Sequence, residues 1–180
     1  MAIAVLSLFW GYSWVFMKIG LLDSGPFVFS GLRTLLGSLM LFAVIFATHR
    51  TIQLSRYKDV LLLSLFNTLG SVGLIQYALV DATATRTAML MFTYPFWTLL
   101  LAWPILDERI KGIQWFAIIL AFCGLILMLK PHDLNGITIS NLAALAAAIS
   151  WAIASIIVKH ILENRPMDLL VLTGSQMAVG

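Results

Sequence analysis

The sequence predicts an all-α membrane protein, a polytopic bundle of transmembrane helices. Three observations carry that expectation. The 180 residues are 61% hydrophobic and only 11% charged, whereas a soluble domain has about 25% charged and about 45–50% apolar residues. Mean hydropathy is +0.99, more apolar surface than a chain of this size can hide from water. The apolar residues fall in runs of about 20, the length that crosses a bilayer as a helix, with none of the alternation of amphipathic strands. A lipid-exposed sheet would leave its backbone unsatisfied, so helices remain.

The first run, 2–22, contains "LFWGYSWVFMKIG" (Leu8–Gly20) and has no Lys or Arg before Lys18, so it lacks the basic start of a cleaved leader. "DSGP" (23–26) ends it, and the second run, 26–48, opens on the proline. "HRTIQLSRYKD" (49–59) leads to the third run, 59–79, and "DATATR" (81–86) to the fourth, 86–106. "DERIKG" (107–112) precedes the fifth, 112–130, and "KPHDLNG" (130–136) the sixth, 138–158. After "ENRPMD" (163–168) a seventh begins near 167 and meets the chain end at Gly180. Each break is rich in turn and helix-stop residues. Cys123 is the single cysteine and sits in an apolar run, so an intrachain disulfide is ruled out. A net charge of +3, scattered along the chain, supplies no basic cluster for nucleic acid.

Basic residues divide unevenly between alternate loops. Arg50, Arg56, Lys58, Arg109, Lys111, Lys159 and Arg165 fall on one side; Lys18, Arg86 and Lys130 fall on the other, with Arg33 inside a helix. That bias puts the first side, and the N-terminus, in the cytoplasm of a multi-pass protein of the inner or plasma membrane.

The chain also echoes itself. Trp10 stands eight residues before Lys18, and Trp151 eight residues before Lys159; turn prolines follow at Pro26 and Pro166, and "RTLLG" (33–37) parallels "QMAVG" (176–180). The first and sixth runs begin on opposite sides, so a five-helix unit repeated once returns upside down. Inverted repeats are a recurring plan of secondary transporters.

Three stretches carry a family likeness: "FWGYSWVFMK", "GPFVFSGLRTLLGSLML" and "TATRTAMLMFTYPFWTLLLAWPILDERIKGIQWFAIILAFCGLILML" (83–129). The last has a proline in its helix, a Glu at the helix end and a glycine-bounded helix after it. On these residues the chain resembles the drug/metabolite transporter superfamily, among proteins with tandem EamA-type domains. The resemblance implies ten helices in two inverted halves over about 300 residues. Residues 1–130 would form the first five-helix repeat and 131–180 the start of the second, so a fragment is expected. It also implies an integral membrane transporter of small metabolites, amino acids or drugs working by alternating access, with a small-molecule substrate and the lipid bilayer as partners. No cofactor and no nucleic acid enter, and homo-oligomers are compatible with it. Arg86 stands where the family more often has a small residue.

Candidate substrate-path residues follow from helix faces. Trp10, Ser13, Trp14, Met17 and Leu21 share one face flanked by Lys18. They read either as a cavity wall or as interfacial aromatics with a lysine snorkelling at the helix end. Trp151 is the counterpart of Trp10, Gln176 lies on the seventh run, and Lys159 is expected at a helix end. Arg33, seven residues past Pro26, is expected on a seam with Ser30, Gly37 and Met40; an intramembrane arginine is a functional candidate or a structural pair. Asn67 shares a stripe with Ser64, Thr68 and Ser71 that either lines a cavity or glues helices, with Gln76 on another side. Pro95 denies the Met91 carbonyl its usual donor, so a hinge or passive kink is expected beside Thr93, Tyr94 and Trp97. Glu108 is expected to cap or pair with Arg109 or Lys111 at a helix end.

All eight carboxylates (Asp23, Asp59, Asp81, Asp107, Glu108, Asp133, Glu163 and Asp168) fall at helix ends or loops. The deep ionisable candidates are cationic, which points to a neutral or carboxylate-bearing metabolite. An intramembrane enzyme is disfavoured: there is no HExxH helix, nucleophile elbow or phosphate loop, and His49, His132 and His160 lie at loops or helix ends, in no metal-ligand pattern. No filter loop for a channel is visible. A membrane assembly or scaffold subunit stands as the alternative to a carrier.

Overall fold

The computed structural model describes residues 2–52, 56–106, 111–129, 138–164 and 167–180. Glu108, Asp107, Arg109, Lys130, Arg165 and Pro166 lie outside the described residues. The protein is an all-α polytopic membrane protein. Ile3–Gly20, Pro26–Ala47, Tyr57–Asp81, Ala84–Ile105 and Ile139–Asn164 are long and apolar enough to cross a membrane, and Gly112–Leu127 and Leu169–Val179 are shorter apolar stretches.

In chain order the helices are α1 (Ala2–Gly20), α2 (Pro26–Ala47), α3 (Tyr57–Ser64), α4 (Leu74–Asp81), α5 (Ala84–Met91), α6 (Tyr94–Leu106), α7 (Gly112–Leu129), α8 (Ile139–Asn164) and α9 (Leu169–Val179). Between α3 and α4 the chain stays helical but widens to a π-helix over Leu65–Gly73. The third run is therefore one long rod with a wide middle, which nothing in its hydrophobic period announces. The fourth run is two helices, α5 and α6, interrupted at Phe92 and Thr93 just before Pro95. Proline then occupies the first turn of α6, where a missing N–H costs nothing.

Two expectations need correction. The sixth helix continues to Asn164 rather than stopping near 158. Lys159 consequently lies within α8, five residues before its end, and pairs with Glu163 at 3.9 Å across one helical turn. On α2, the row packed inside is Ser30, Thr34, Ser38 and Ile45, and Met40 is 72% exposed. The seam is therefore not the one through Arg33 and Met40. Spacing of four residues selects the 30/34/38 row, whose small side chains admit another helix.

That other helix is α9. Ser38 donates to the Gly174 carbonyl at 3.1 Å, the Gly174 Cα faces Ile45 and Leu41, and Gly37 faces Met177. At the end of α2, His49 adopts φ 51°. The His49 and Arg50 N–H groups donate to the Phe46 and Ile45 carbonyls, which closes the helix and turns Arg50 toward Asp168. Helix α8 lies centrally against the third rod, α5 and α6. Its run of alanines, with Ala144, Ala147, Ala148 and Ala152 fully buried, brings backbones close. A Cβ at Gly70 would stand 2.1 Å from Ser150 Oγ, so only glycine fits there. Ser150 donates to the Phe66 carbonyl at 2.7 Å, inside the π segment, where the wide turn frees an acceptor.

Contacts between helix ends agree with alternating, antiparallel crossings. Lys18 meets Leu79 and Val80, and Asp81 meets Ser140, at one end of the bundle. Arg50 meets Asp168 at the other.

Candidate functional site

Helices α1, α2, α4, α5, α6 and α8 contribute side chains to one mixed aromatic and polar cluster. Trp14 and Met17 from α1, Ile75 and Leu79 from α4, Met91 from α5 and Ala147 and Ala148 from α8 are buried together; Tyr94, Trp97 and Trp151 pack against them. The two tryptophans matched by the internal echo touch: Trp10 and Trp151 meet edge to face with ring centroids 6.2 Å apart. Tyr94 lies 5.9 Å from Trp151, and Trp14 lies 6.3 Å from Phe92. Alanines on α8 leave room for these rings, and the interruption before Pro95 turns Tyr94 and Trp97 toward them. Thr93 accepts from Trp97 Nε1 at 3.1 Å and donates to the Leu90 carbonyl at 2.7 Å, so the break holds its own polar groups.

The polar part centres on Met17. Gln76 Nε2 lies 3.0 Å from its sulfur, and Arg33 reaches the same atom from α2 at 2.5 Å. A thioether is a weak acceptor, and here it serves two donors, one of them charged. Gln76 is 0% exposed and its Oε1 has no partner among the described residues; Trp14, 7% exposed, likewise has an unpartnered Nε1. Buried polar atoms are ordinarily satisfied. Gln76 and Trp14 thus each carry a buried polar atom without a partner among the described residues, one an acceptor and one a donor.

Of the candidates from the sequence, Trp10, Trp14, Tyr94, Trp97 and Trp151 converge here, Thr93 supports Trp97, and Arg33 joins through Met17. Ser13 does not contribute a free hydroxyl: it donates to the Trp10 carbonyl of its own helix at 2.6 Å. Asn67 is half-buried in the π segment. Gln176 is buried on α9, where its backbone carbonyl accepts from Ser64 at 2.9 Å and Thr68 at 3.2 Å, so Ser64 and Thr68 join helices. Lys18 donates to the Leu79 carbonyl at 2.5 Å and the Val80 carbonyl at 2.9 Å. It caps the C-terminal end of the third rod, where orphan carbonyls and the helix dipole favour a cation. Met17 lies on the α1 face that the sequence offers as a cavity wall, whereas Gln76 is the site residue that sequence reasoning leaves on another side of its rod. An amide in a membrane-spanning run is the available signal, but the π-helix before it turns Gln76 to a side that a regular wheel does not give. Among the described residues, no group of His, Cys, Asp and Glu is placed to hold a metal.

Long apolar helices on alternating courses, with a polar-aromatic cluster among them, define a polytopic helical membrane protein. Comparison with known sequences narrows that class. The EamA-like transporter family matches residues 1–130, and the chain belongs to that family. It is 28% identical to the uncharacterized transporter YoaV of Bacillus subtilis (strain 168), an alignment covering 100% of this chain and 63% of the relative. It is 38% identical to the S-adenosylmethionine uptake transporter of Rickettsia prowazekii (strain Madrid E) over 51% of this chain and 31% of the relative. It is 29% identical to a probable amino-acid metabolite efflux pump of Salmonella typhimurium over 87% of this chain and 52% of the relative. The chain thus spans less than two thirds of the length of each. No solved structure matches.

Proposed function

We propose that this chain forms the substrate-holding part of a carrier for small metabolites, amino acids or drugs that works by alternating access. The carrying observation is the cluster itself: Trp14, Met17, Tyr94, Trp97 and Trp151 packed together from α1, α6 and α8, with Gln76 and Arg33 joined to them through Met17 and two buried polar atoms left unpartnered. Sites for small molecules are largely apolar with a few convergent polar groups, and an intramembrane cation is a functional candidate by default. The family, and relatives named for uptake of S-adenosylmethionine and for efflux of amino-acid metabolites, support the same reading.

Residues 1–130 are assigned as one repeat and 131–180 as the start of an inverted second. The Trp10–Trp151 contact then sits on the line between halves, where such carriers hold substrate. The excess of Lys and Arg in loops 49–59 and 107–112 favours a cytoplasmic N-terminus in the inner or plasma membrane. The test is flux. The chain reconstituted in vesicles is expected to carry radiolabelled amino acids or their metabolites saturably, and Trp151→Ala is expected to abolish the flux. Unchanged leak with and without protein, across a panel of such solutes, would refute it.

A further inference from the structure

Arg33 begins about 10 Å inside α2, at 1.5 Å per residue from Pro26. A guanidinium at that depth needs an anion or a strong acceptor. Its guanidinium instead donates to a thioether, a weak acceptor. Gln76, a fully buried amide from a different rod, spends its donor on the same sulfur. Trp14, one helical turn before Met17 on α1, holds a buried indole N–H with no partner among the described residues. Two donors from two separate helices therefore meet at one soft atom, with the Trp14 indole in the same buried cluster as that atom, and one of the two donors is permanently charged. Within the described spans no Asp or Glu balances it, since the acidic side chains lie at helix ends. Tyr94 and Trp151 pack on the same cluster as Trp14 and Met17, and Trp10 meets Trp151 edge to face.

We infer that Arg33, Gln76 and Trp14 form a carboxylate subsite, in which a substrate carboxylate takes the place the Met17 sulfur now fills while the aromatic walls hold an apolar side group. The inference deepens the carrier reading by naming the chemical class of its cargo, and it rests on that reading for its role. The physical reason for the exchange is the strength of the acceptor. An Arg–carboxylate pair is charge-assisted and able to form two parallel N–H···O bonds. Methionine is unbranched and flexible enough to withdraw to another rotamer. The neighbouring Gln76 Oε1 supplies an acceptor for an N–H or O–H on the guest.

Binding by the purified chain in maltoside micelles tests this without requiring flux. The probes are phenylacetate, its neutral isostere phenylacetamide and the cation phenethylamine, followed by tryptophan fluorescence. Phenylacetate is expected to bind saturably and at least tenfold more tightly than either of the others. Arg33→Gln is expected to erase that preference and Arg33→Lys to keep part of it. Met17→Leu, close in volume, is expected to keep or tighten phenylacetate binding. Equal binding of acid and amide by the unaltered chain overturns the inference even if every variant misfolds. So does loss of phenylacetate binding in Met17→Leu, or a preference that survives Arg33→Gln. Should added phosphatidylglycerol displace phenylacetate competitively while phosphatidylglycerol alone gives the same fluorescence change, lipid phosphate is the occupant and the inference fails. Vesicles that carry solute without any carboxylate preference would sink this inference and leave the carrier standing; tight carboxylate binding without flux would do the reverse.

Discussion

Replacing Gly70 by alanine tests the close approach of the third rod to α8. The new Cβ would lie 2.1 Å from Ser150 Oγ, 3.2 Å from Ser150 Cβ and 3.0 Å from the Leu65 carbonyl. Contacts that short cannot stand, and the nearest one belongs to a hydroxyl already committed to the Phe66 carbonyl. The variant must therefore either push α8 away or turn Ser150 out of its bond. Overpacking of this kind costs about 1–3 kcal/mol, and a lost hydrogen bond adds about 0.5–1.5 kcal/mol. The expected total is about 1.5–4.5 kcal/mol of destabilisation when both occur. Ser150→Ala alone loses only the bond. Removing Oγ also opens room for the Gly70→Ala methyl, so the double variant should fall short of the sum by about 1–2 kcal/mol, as in other touching pairs. Equilibrium unfolding in mixed micelles, followed by circular dichroism, measures all three. A neutral Gly70→Ala, or strict additivity in the double variant, would refute the claim that the third rod and α8 meet through this glycine.

Other outcomes follow from contacts of the same kind. Lys18→Met strips two carbonyls of a charged donor and should cost about 1.5–3 kcal/mol in the same unfolding assay, with Lys18→Arg recovering part of it. Gln76→Leu removes an amide whose Oε1 is buried without a partner, so stability should hold or rise by up to about 1 kcal/mol while solute binding is lost. Asp168 adds a pH-dependent term. Burial alone would raise its carboxyl, but the Arg50 hydrogen bond, the Val171 and Leu170 N–H groups and the Arg50 charge outweigh burial and hold it below the ordinary carboxylate value. In acid the unfolded chain therefore takes up the proton first, so the contribution is present above the ordinary carboxylate pKa and disappears as pH falls through the lowered one. The difference in unfolding midpoint between the unaltered chain and Arg50→Gln should accordingly be flat at neutral pH and shrink below about pH 4; a difference that persists unchanged at pH 2 would contradict the pair.

How far the site could be read ahead differs residue by residue. Trp10 and Trp151 were paired by spacing alone, and they touch. Tyr94 and Trp97 were singled out because Pro95 must disturb its helix, and the disturbance is where the proline put it. Gln76 escaped because a wheel drawn at 100° per residue fails across nine residues of π-helix. Ser13 shares the face of the candidate tryptophans, yet a helical serine can bond the carbonyl one turn back, and this one does. Lys18 looked like a snorkelling lysine. Its actual partners, Leu79 and Val80, are about sixty residues away and nothing local signals them.

The sequence by itself determined the helices, the approximate spans and the family pattern. In a lipid solvent each segment must satisfy its own backbone, so length and apolar composition suffice to specify it. Tertiary structure decided which polar atoms meet. The donors on Arg33, Gln76 and Trp14 come from three helices whose rotation and register depend on the fit of small residues far apart in the chain, such as Gly70 against Ser150. That fit is a property of pairs of surfaces, and hydrophobic period in one segment carries no record of its partner.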